Sequence, residues 1–188
     1  MSAGLLRYLP NCLTLSRVVL AIPLGILILR EDYTWALSIG LVAGLTDALD
    51  GFLARRLNAL SRLGAALDPI ADKILIMTTF LSLAQSGLIP WYLAIAVIVR
   101  DVVIVTGATC YHKFIGPFEF SASALSKSNM FIQICFCVLV LASQILPEIP
   151  PVATLVGSIA VLFLAAASGA DYVMSWAVKA IQSSRTED

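Results

Sequence analysis

Apolar residues along the chain gather into six runs, each ended by a short polar or proline-bearing break. The cores of these runs are residues 13–29, 33–52, 65–86, 89–111, 128–146 and 151–177. A helix needs about 20 apolar residues to cross the hydrocarbon of a bilayer, so the pattern predicts six transmembrane helices and an all-α, polytopic membrane fold. The breaks agree with that reading. REDY at 30–33, SGLIP at 86–90 and PEIPP at 147–151 are tight, and successive prolines lack the amide donor a continuing helix requires. ARRLNALSR at 54–62 and HKFIGPFEFSAS at 112–123 are the longer, more polar connections.

Composition strengthens the membrane reading. The chain of 188 residues is 60% apolar and 13% charged, against roughly 25% charge in an ordinary soluble domain. So much of the length is used by spans that a single membrane domain, residues 1–188, is the economical organisation. A formal net charge of zero argues against the broad basic surface that binds nucleic acid. Cys12, Cys110, Cys135 and Cys137 have neither metal-finger spacing nor a disulfide framework and read as small core hydrophobes. MSAGLLRYLPN is weakly apolar and short for a secretory signal, and it lacks the character of a transit peptide, so a bacterial plasma membrane is expected.

Arginine and lysine orient the bundle, because loops that keep positive charge stay cytoplasmic. Arg7, Arg55, Arg56, Arg62, Lys113, Lys127, Lys179 and Arg185 fall on one side and Arg30 on the other. Both termini are therefore expected in the cytoplasm, as is the charged stretch TDALDGFLARRLNALSRLGAALDPIADK at 46–73.

That stretch holds the candidate chemistry. Asp47 and Asp50 are three residues apart and Asp68 and Asp72 four apart, so each pair shares a helix face and two antiparallel helices can bring the pairs together. Four carboxylates without counter-charge would repel one another, and hard oxygen donors of this kind suit Mg²⁺ or Mn²⁺. Two such cations are the usual device for clamping a phosphoryl group. Gly51, Ala54 and Gly64 leave bare backbone on which a nucleotide would rest, and the donor fork of Arg55 would engage its phosphate or ribose.

The pattern Asp47-x2-Asp50-Gly51-x2-Ala54-Arg55-x8-Gly64-x3-Asp68-x3-Asp72 resembles the signature of the CDP-alcohol phosphatidyltransferases at every fixed position. Pro10-Asn11-x-Leu13-Thr14-x2-Arg17 also looks like the start of that family's first helix, which puts Asn11 and Thr14 with Asp47 among the candidate nucleotide contacts. The resemblance implies a six-helix membrane enzyme, usually a homodimer. It implies two divalent metals, transfer of a phosphatidyl group from CDP-diacylglycerol to an alcohol, and release of CMP. Asp47, Asp50 and Asp68 would then be metal ligands, and Asp72 both a ligand and the base that deprotonates the acceptor hydroxyl.

The acceptor is a finer question. IPWYLAIAVIVRDVVIVTGA followed by LSKSNMFIQ, with Arg100-Asp101 and Ser126-Lys127-x-Asn129-x3-Gln133, resembles the CMP-forming cardiolipin synthases, whose acceptor is phosphatidylglycerol. The phosphatidylglycerophosphate synthases, which use glycerol 3-phosphate, are the neighbouring alternative and tend to have Arg-Glu in place of Arg100-Asp101. Either acceptor has a phosphate, for which Arg100 and Lys127 are the candidate partners. The loop at 113–127 is largely apolar, better suited to lie on lipid than to gather a soluble dianion.

Plainer readings stand beside these. The aspartates would form simple ion pairs with Arg55, Arg56 and Arg62 in an interfacial hairpin, although ion pairing demands neither the glycines nor the spacing. Arg100-Asp101 is either an acceptor site or a structural pair, since consecutive helical residues point about 100° apart. Asn11 and Thr14 serve equally as a helix cap with a local hydrogen bond. Arg56 reads as a headgroup anchor, His112 as a surface residue and Asp171 as part of the bundle's polar packing. A divalent-cation transporter is the distant alternative, but it would place its ligands near the midplane on broken helices.

Overall fold

The structure, a computed structural model, describes the backbone of residues 9–57, 62–114 and 124–184 and the side chains of 16–46, 70–107, 109, 125–172 and 174. Six helices account for most of them: α1 (Leu9–Leu29), α2 (Tyr33–Leu57), α3 (Arg62–Gln85), α4 (Trp91–Phe114), α5 (Ala124–Ser143) and α6 (Pro151–Ser184). No strand occurs among the described residues, as the all-α reading expects.

Comparison with the apolar runs is informative at both ends. Where REDY, SGLIP and PEIPP join the helices, boundaries and runs agree within about three residues. At the opposite end every helix continues past its apolar run, so that Arg55, Arg56, His112 and Lys113 are helical rather than in connections. Hydropathy marks where a helix leaves an apolar medium, whereas the helix ends where its backbone hydrogen bonds end, and Arg, Lys and Ala sustain those well. The same extension corrects the helix-cap reading of Asn11, because α1 begins at Leu9 and Asn11 lies inside its first turn.

The tight turns have identifiable causes. At the end of α3, Gly87 has φ 72° and its N–H donates to Ala84 O, while the Leu88 N–H donates to Leu83 O. This is the left-handed helix stop that glycine adopts without strain. α1 ends with the same two bonds, Glu31 to Ile28 O and Asp32 to Leu27 O, but there the left-handed residue is Glu31, with φ 63°. α6 starts on Pro151, where the missing N–H costs nothing.

The helices close into a ring in the order α1, α2, α5, α6, α4, α3, with α3 also touching α5 across the middle. Small residues set the closest approaches. A Cβ on Gly25 would sit 3.0 Å from Ser82 Oγ, and one on Gly157 would lie 2.7 Å from the ring of Phe136. Phe136 in turn packs on Phe80 with centroids 6.0 Å apart. The core around them is apolar, with Ile28, Leu83, Leu93 and Val161 fully buried.

The outer surface is apolar as well. Ile22 and Leu29 of α1, Trp35 and Leu45 of α2 and Phe163 of α6 are all more than half exposed, while Arg17, Asp101, Asn129, Gln133 and Ser168 are buried. Helix hydroxyls turn inward on their own backbone: Ser38, Thr46, Thr79, Thr109 and Ser158 each donate to the carbonyl one turn back. Among the described residues, Leu125–Ser143 and Pro151–Tyr172 are long and apolar enough to cross a membrane, and Ser16–Leu29 and Tyr33–Thr46 are shorter apolar stretches.

Candidate active site

Below the apolar core the ring acquires a polar layer. Arg17 on α1 and Asp72 on α3 lie about 20 Å of helix from the turn end. The Arg17 side chain is 2% exposed and pairs through Nη1 with Asp72 Oδ1. A buried guanidinium without a partner would be strongly destabilising, so this pair closes a contact between residues that are distant in sequence.

A second group gathers around Arg100 of α4. Its Nη1 donates to Asp101 Oδ1 at 2.6 Å, and its Nη2 donates to Ser126 Oγ of α5 at 2.9 Å and to Ser168 Oγ of α6. Lys73 of α3 brings Nζ to 3.3 Å from the same Asp101 oxygen. One arginine fork therefore ties three helices, and Asp101 draws in a fourth. The 100° between neighbouring helical positions is bridged by the length of the arginine side chain, which folds back onto Asp101. The structural-pair reading thus describes the geometry, while Arg100 and Asp101 also line a cavity.

That cavity, about 350 Å³, is lined by Asp72, Lys73, Arg100, Asp101, Ser126, Lys127, Gln133 and Tyr172, with Ile76, Ile104 and Met130. A smaller apolar crevice of about 80 Å³ opens between α1, α2, α3 and α5, with Arg17 and Asp72 among its lining. Asp72, Ile76 and Met130 border both spaces. Among the described residues the larger cavity thus brings three cations and two carboxylates to one space, and a group entering it would meet Asp72 at its boundary with the apolar crevice.

Two buried amides belong to the same layer. Asn129 is fully buried, with neither Nδ2 nor Oδ1 bonded, and Gln133 is 3% exposed, with Nε2 unbonded among the described residues. Leaving such a donor unmatched costs about 1–3 kcal/mol.

Of the sequence candidates, the structure brings together Asp72, Arg100 and Lys127. Asp47, Asp50, Gly51, Ala54 and Arg55 fall in α2, Gly64 and Asp68 in α3, and Asn11 and Thr14 in α1, but their side chains lie outside the described residues. Among the described residues no three metal-ligating side chains cluster. The backbone nonetheless suits the proposed donor set. Both aspartate pairs lie on unbroken helix, α2 and α3, on either side of residues 58–61, and four carboxylates with no thiolate or imidazole match a hard divalent cation.

Arg17, Lys73, Ser168 and Tyr172 were not singled out by sequence reasoning as site residues. Arg17 closes the Pro10-Asn11-x-Leu13-Thr14-x2-Arg17 pattern and is an arginine followed by an apolar run, which in a membrane helix asks for a partner. Lys73 is adjacent to Asp72 and was hidden by the aspartate motif. Ser168 and Tyr172 have no local signal.

Comparison with known proteins places this geometry. Residues 7–180 match the family model described as CDP-alcohol phosphatidyltransferase. The chain is similar to a CMP-forming cardiolipin synthase of Homo sapiens, 50% identical over 98 residues, covering 52% of this chain and 33% of that one. A CMP-forming cardiolipin synthase of Streptomyces coelicolor is 36% identical over 103 residues, 51% of this chain and 47% of the other. A CDP-diacylglycerol–glycerol-3-phosphate 3-phosphatidyltransferase of Blochmanniella floridana is 33% identical over 132 residues, 66% and 68% of the two chains. The matched stretch spans about a third of the length of the human relative.

Proposed function

The chain belongs to the CDP-alcohol phosphatidyltransferase family, and on that premise we propose that it transfers a phosphatidyl group from CDP-diacylglycerol to phosphatidylglycerol, giving cardiolipin and CMP. The observation that carries the reading is Asp72 at the boundary between an apolar crevice and a cavity with Lys73, Arg100 and Lys127 in its lining. The primary hydroxyl of the acceptor attacks the phosphatidyl phosphorus. A new P–O bond forms there, the pyrophosphate P–O bond breaks, CMP leaves, and the hydroxyl proton passes to the Asp72 carboxylate. Arg17 holds one oxygen of that carboxylate and so orients it.

Asp47, Asp50, Asp68 and Asp72 would hold two divalent cations, Mg²⁺ or Mn²⁺, whose chemistry is to neutralise charge on the transferred phosphoryl oxygens. Gly51, Ala54, Arg55 and Gly64, with Asn11 and Thr14, would take the nucleotide. Arg100 and Lys127, joined by Lys73, would face the acceptor phosphate. Similarity to the cardiolipin synthases of Homo sapiens and Streptomyces coelicolor supports phosphatidylglycerol as that acceptor. The apolar exterior supports six spans in a bilayer with the arginine-rich end toward the cytoplasm, and a homodimer is the assembly we propose.

A second reading has its own support. Similarity to the Blochmanniella floridana protein favours glycerol 3-phosphate as acceptor, with phosphatidylglycerophosphate as product. Purified protein in mixed micelles with CDP-diacylglycerol and either acceptor separates the two. Cardiolipin and CMP formed from phosphatidylglycerol are expected, lost with chelator and restored by added Mg²⁺ or Mn²⁺. A clear preference for glycerol 3-phosphate would select the second reading. Divalent-cation flux into vesicles without CMP release would replace both by a transporter.

A further inference from the structure

The interior face of α5 changes character along its length. Ser126, Asn129 and Gln133 occupy its first turns, and Phe136, Val140 and Leu141 continue the same face into the apolar core. Ser126 accepts from Arg100, and Asn129 is buried in the protein. Both amides have an unbonded nitrogen among the described residues, but of the two it is Gln133 that lines the 350 Å³ cavity, with Asp72, Lys73 and Lys127. Nε2 is itself buried, and the two ends of an amide exchange by a half-turn, so a group bound in the cavity can meet the Gln133 amide and offset the cost of the missing bond.

The chemistry of the lining narrows what that group is. Asp72 accepts hydrogen bonds and takes the reacting hydroxyl. Lys73, Arg100 and Lys127 make charge-assisted contacts and take the phosphate, for which a neutral amide competes poorly. A phosphoglycerol has one further polar group, the secondary hydroxyl next to the reacting carbon, which is neutral and suits a neutral amide.

We infer that Gln133 determines acceptor specificity: its side-chain amide hydrogen-bonds the secondary hydroxyl of the acceptor's glycerol unit, so the site selects alcohols with two adjacent hydroxyls. This rests on the cavity being the acceptor site of the proposed transferase, and the shared chemistry, a phosphoglycerol, comes either from a lipid headgroup or from free glycerol 3-phosphate.

The test compares acceptors differing only in that hydroxyl, using the full chain in micelles with CDP-diacylglycerol. One arm pairs phosphatidylglycerol with phosphatidyl-1,3-propanediol, and the other pairs glycerol 3-phosphate with 3-hydroxypropyl phosphate. The arm in which the wild type turns over identifies the source. There the wild type is expected to favour the diol by about 10- to 100-fold in kcat/KM, because a site built to bond a hydroxyl rejects the analogue lacking it. In Gln133→Met, of similar length with no donor, and in Gln133→Leu, the ratio should collapse to within about twofold of one. A wild type indifferent to the secondary hydroxyl overturns the inference whether or not the variants fold, and so does a preserved ratio in either variant. In both cases CMP release by the wild type leaves the transferase reading standing. No CMP release with any acceptor overturns that reading and the Gln133 inference with it.

Discussion

Near the turn end, Phe136 lies between Phe80 and Gly157 in a core with Ile28, Leu83 and Val161 fully buried, whereas farther along the same six helices the interior is built from Arg17, Asp72, Lys73, Arg100 and Asp101. The first region is held by shape: ring against ring and glycine against ring. The second is held by direction, one guanidinium reaching three helices and one carboxylate taking two cations. Packing without a polar group has nothing to exchange with a substrate. A buried polar layer is costly to build but places charged groups at fixed positions around a cavity. Changes in the apolar half should therefore act on stability alone, and changes in the polar half on catalysis, or on catalysis and stability together.

The comparison can be broken most forcefully at Asp72. Asp72→Asn is expected to reduce CMP release by about 10²- to 10⁴-fold while the protein remains folded in detergent. Parallel assays of activity and thermal unfolding check this, and a near-wild-type rate would remove Asp72 from the chemistry. Asp50→Asn and Asp68→Asn, on the same two helices, should each abolish CMP release, since an amide is a poor ligand for Mg²⁺.

Arg100→Ala tests whether the polar layer also carries stability. It leaves Asp101 with Lys73 alone and removes the tie between α4, α5 and α6, so a loss of about 3–5 kcal/mol is expected together with raised acceptor KM. Arg100→Lys should recover little of either, because a single ammonium cannot reproduce the fork. Denaturation midpoints and acceptor titrations measure the two effects separately.

Gly157→Ala probes the apolar half. The added methyl would meet the Phe136 ring at 2.7 Å, and that ring is itself pinned by Phe80, so a loss of about 1–3 kcal/mol is expected with kcat per folded molecule unchanged. A changed acceptor preference in this variant would show that the two halves are coupled. The smallest effect is a gain. Glu31→Gly relieves a left-handed residue at the end of α1 and should stabilise by up to about 1 kcal/mol, read as a higher Tm with unaltered activity.

REDY, SGLIP and PEIPP located the three described turns because left-handed stops and prolines are local events. The aspartate spacing pointed to two continuous helices, and α2 and α3 run unbroken through both pairs. α2, α4 and α6 run on past their apolar stretches to Leu57, Phe114 and Ser184, because apolar content reports the surrounding medium while helix length follows backbone propensity. Arg100 and Asp101 were recognised as a pair, but nothing in RDVV indicates that Ser126 and Ser168 complete it.

Six apolar helices, their turns, and a cluster of acidic residues with the spacing of the family's signature follow from the chain alone, because helical periodicity, turn chemistry and composition are properties of neighbours along it. That Arg17 holds Asp72 from 55 residues away, that Arg100 reaches Ser168 across 68, and that Gln133 lines the same cavity as Lys73 and Lys127 follow from the packing of the helices. Those juxtapositions depend on which helix faces close against one another, and that is settled by the fit of residues such as Gly25 against Ser82 and Gly157 against Phe136. A side chain's own sequence neighbours do not encode it.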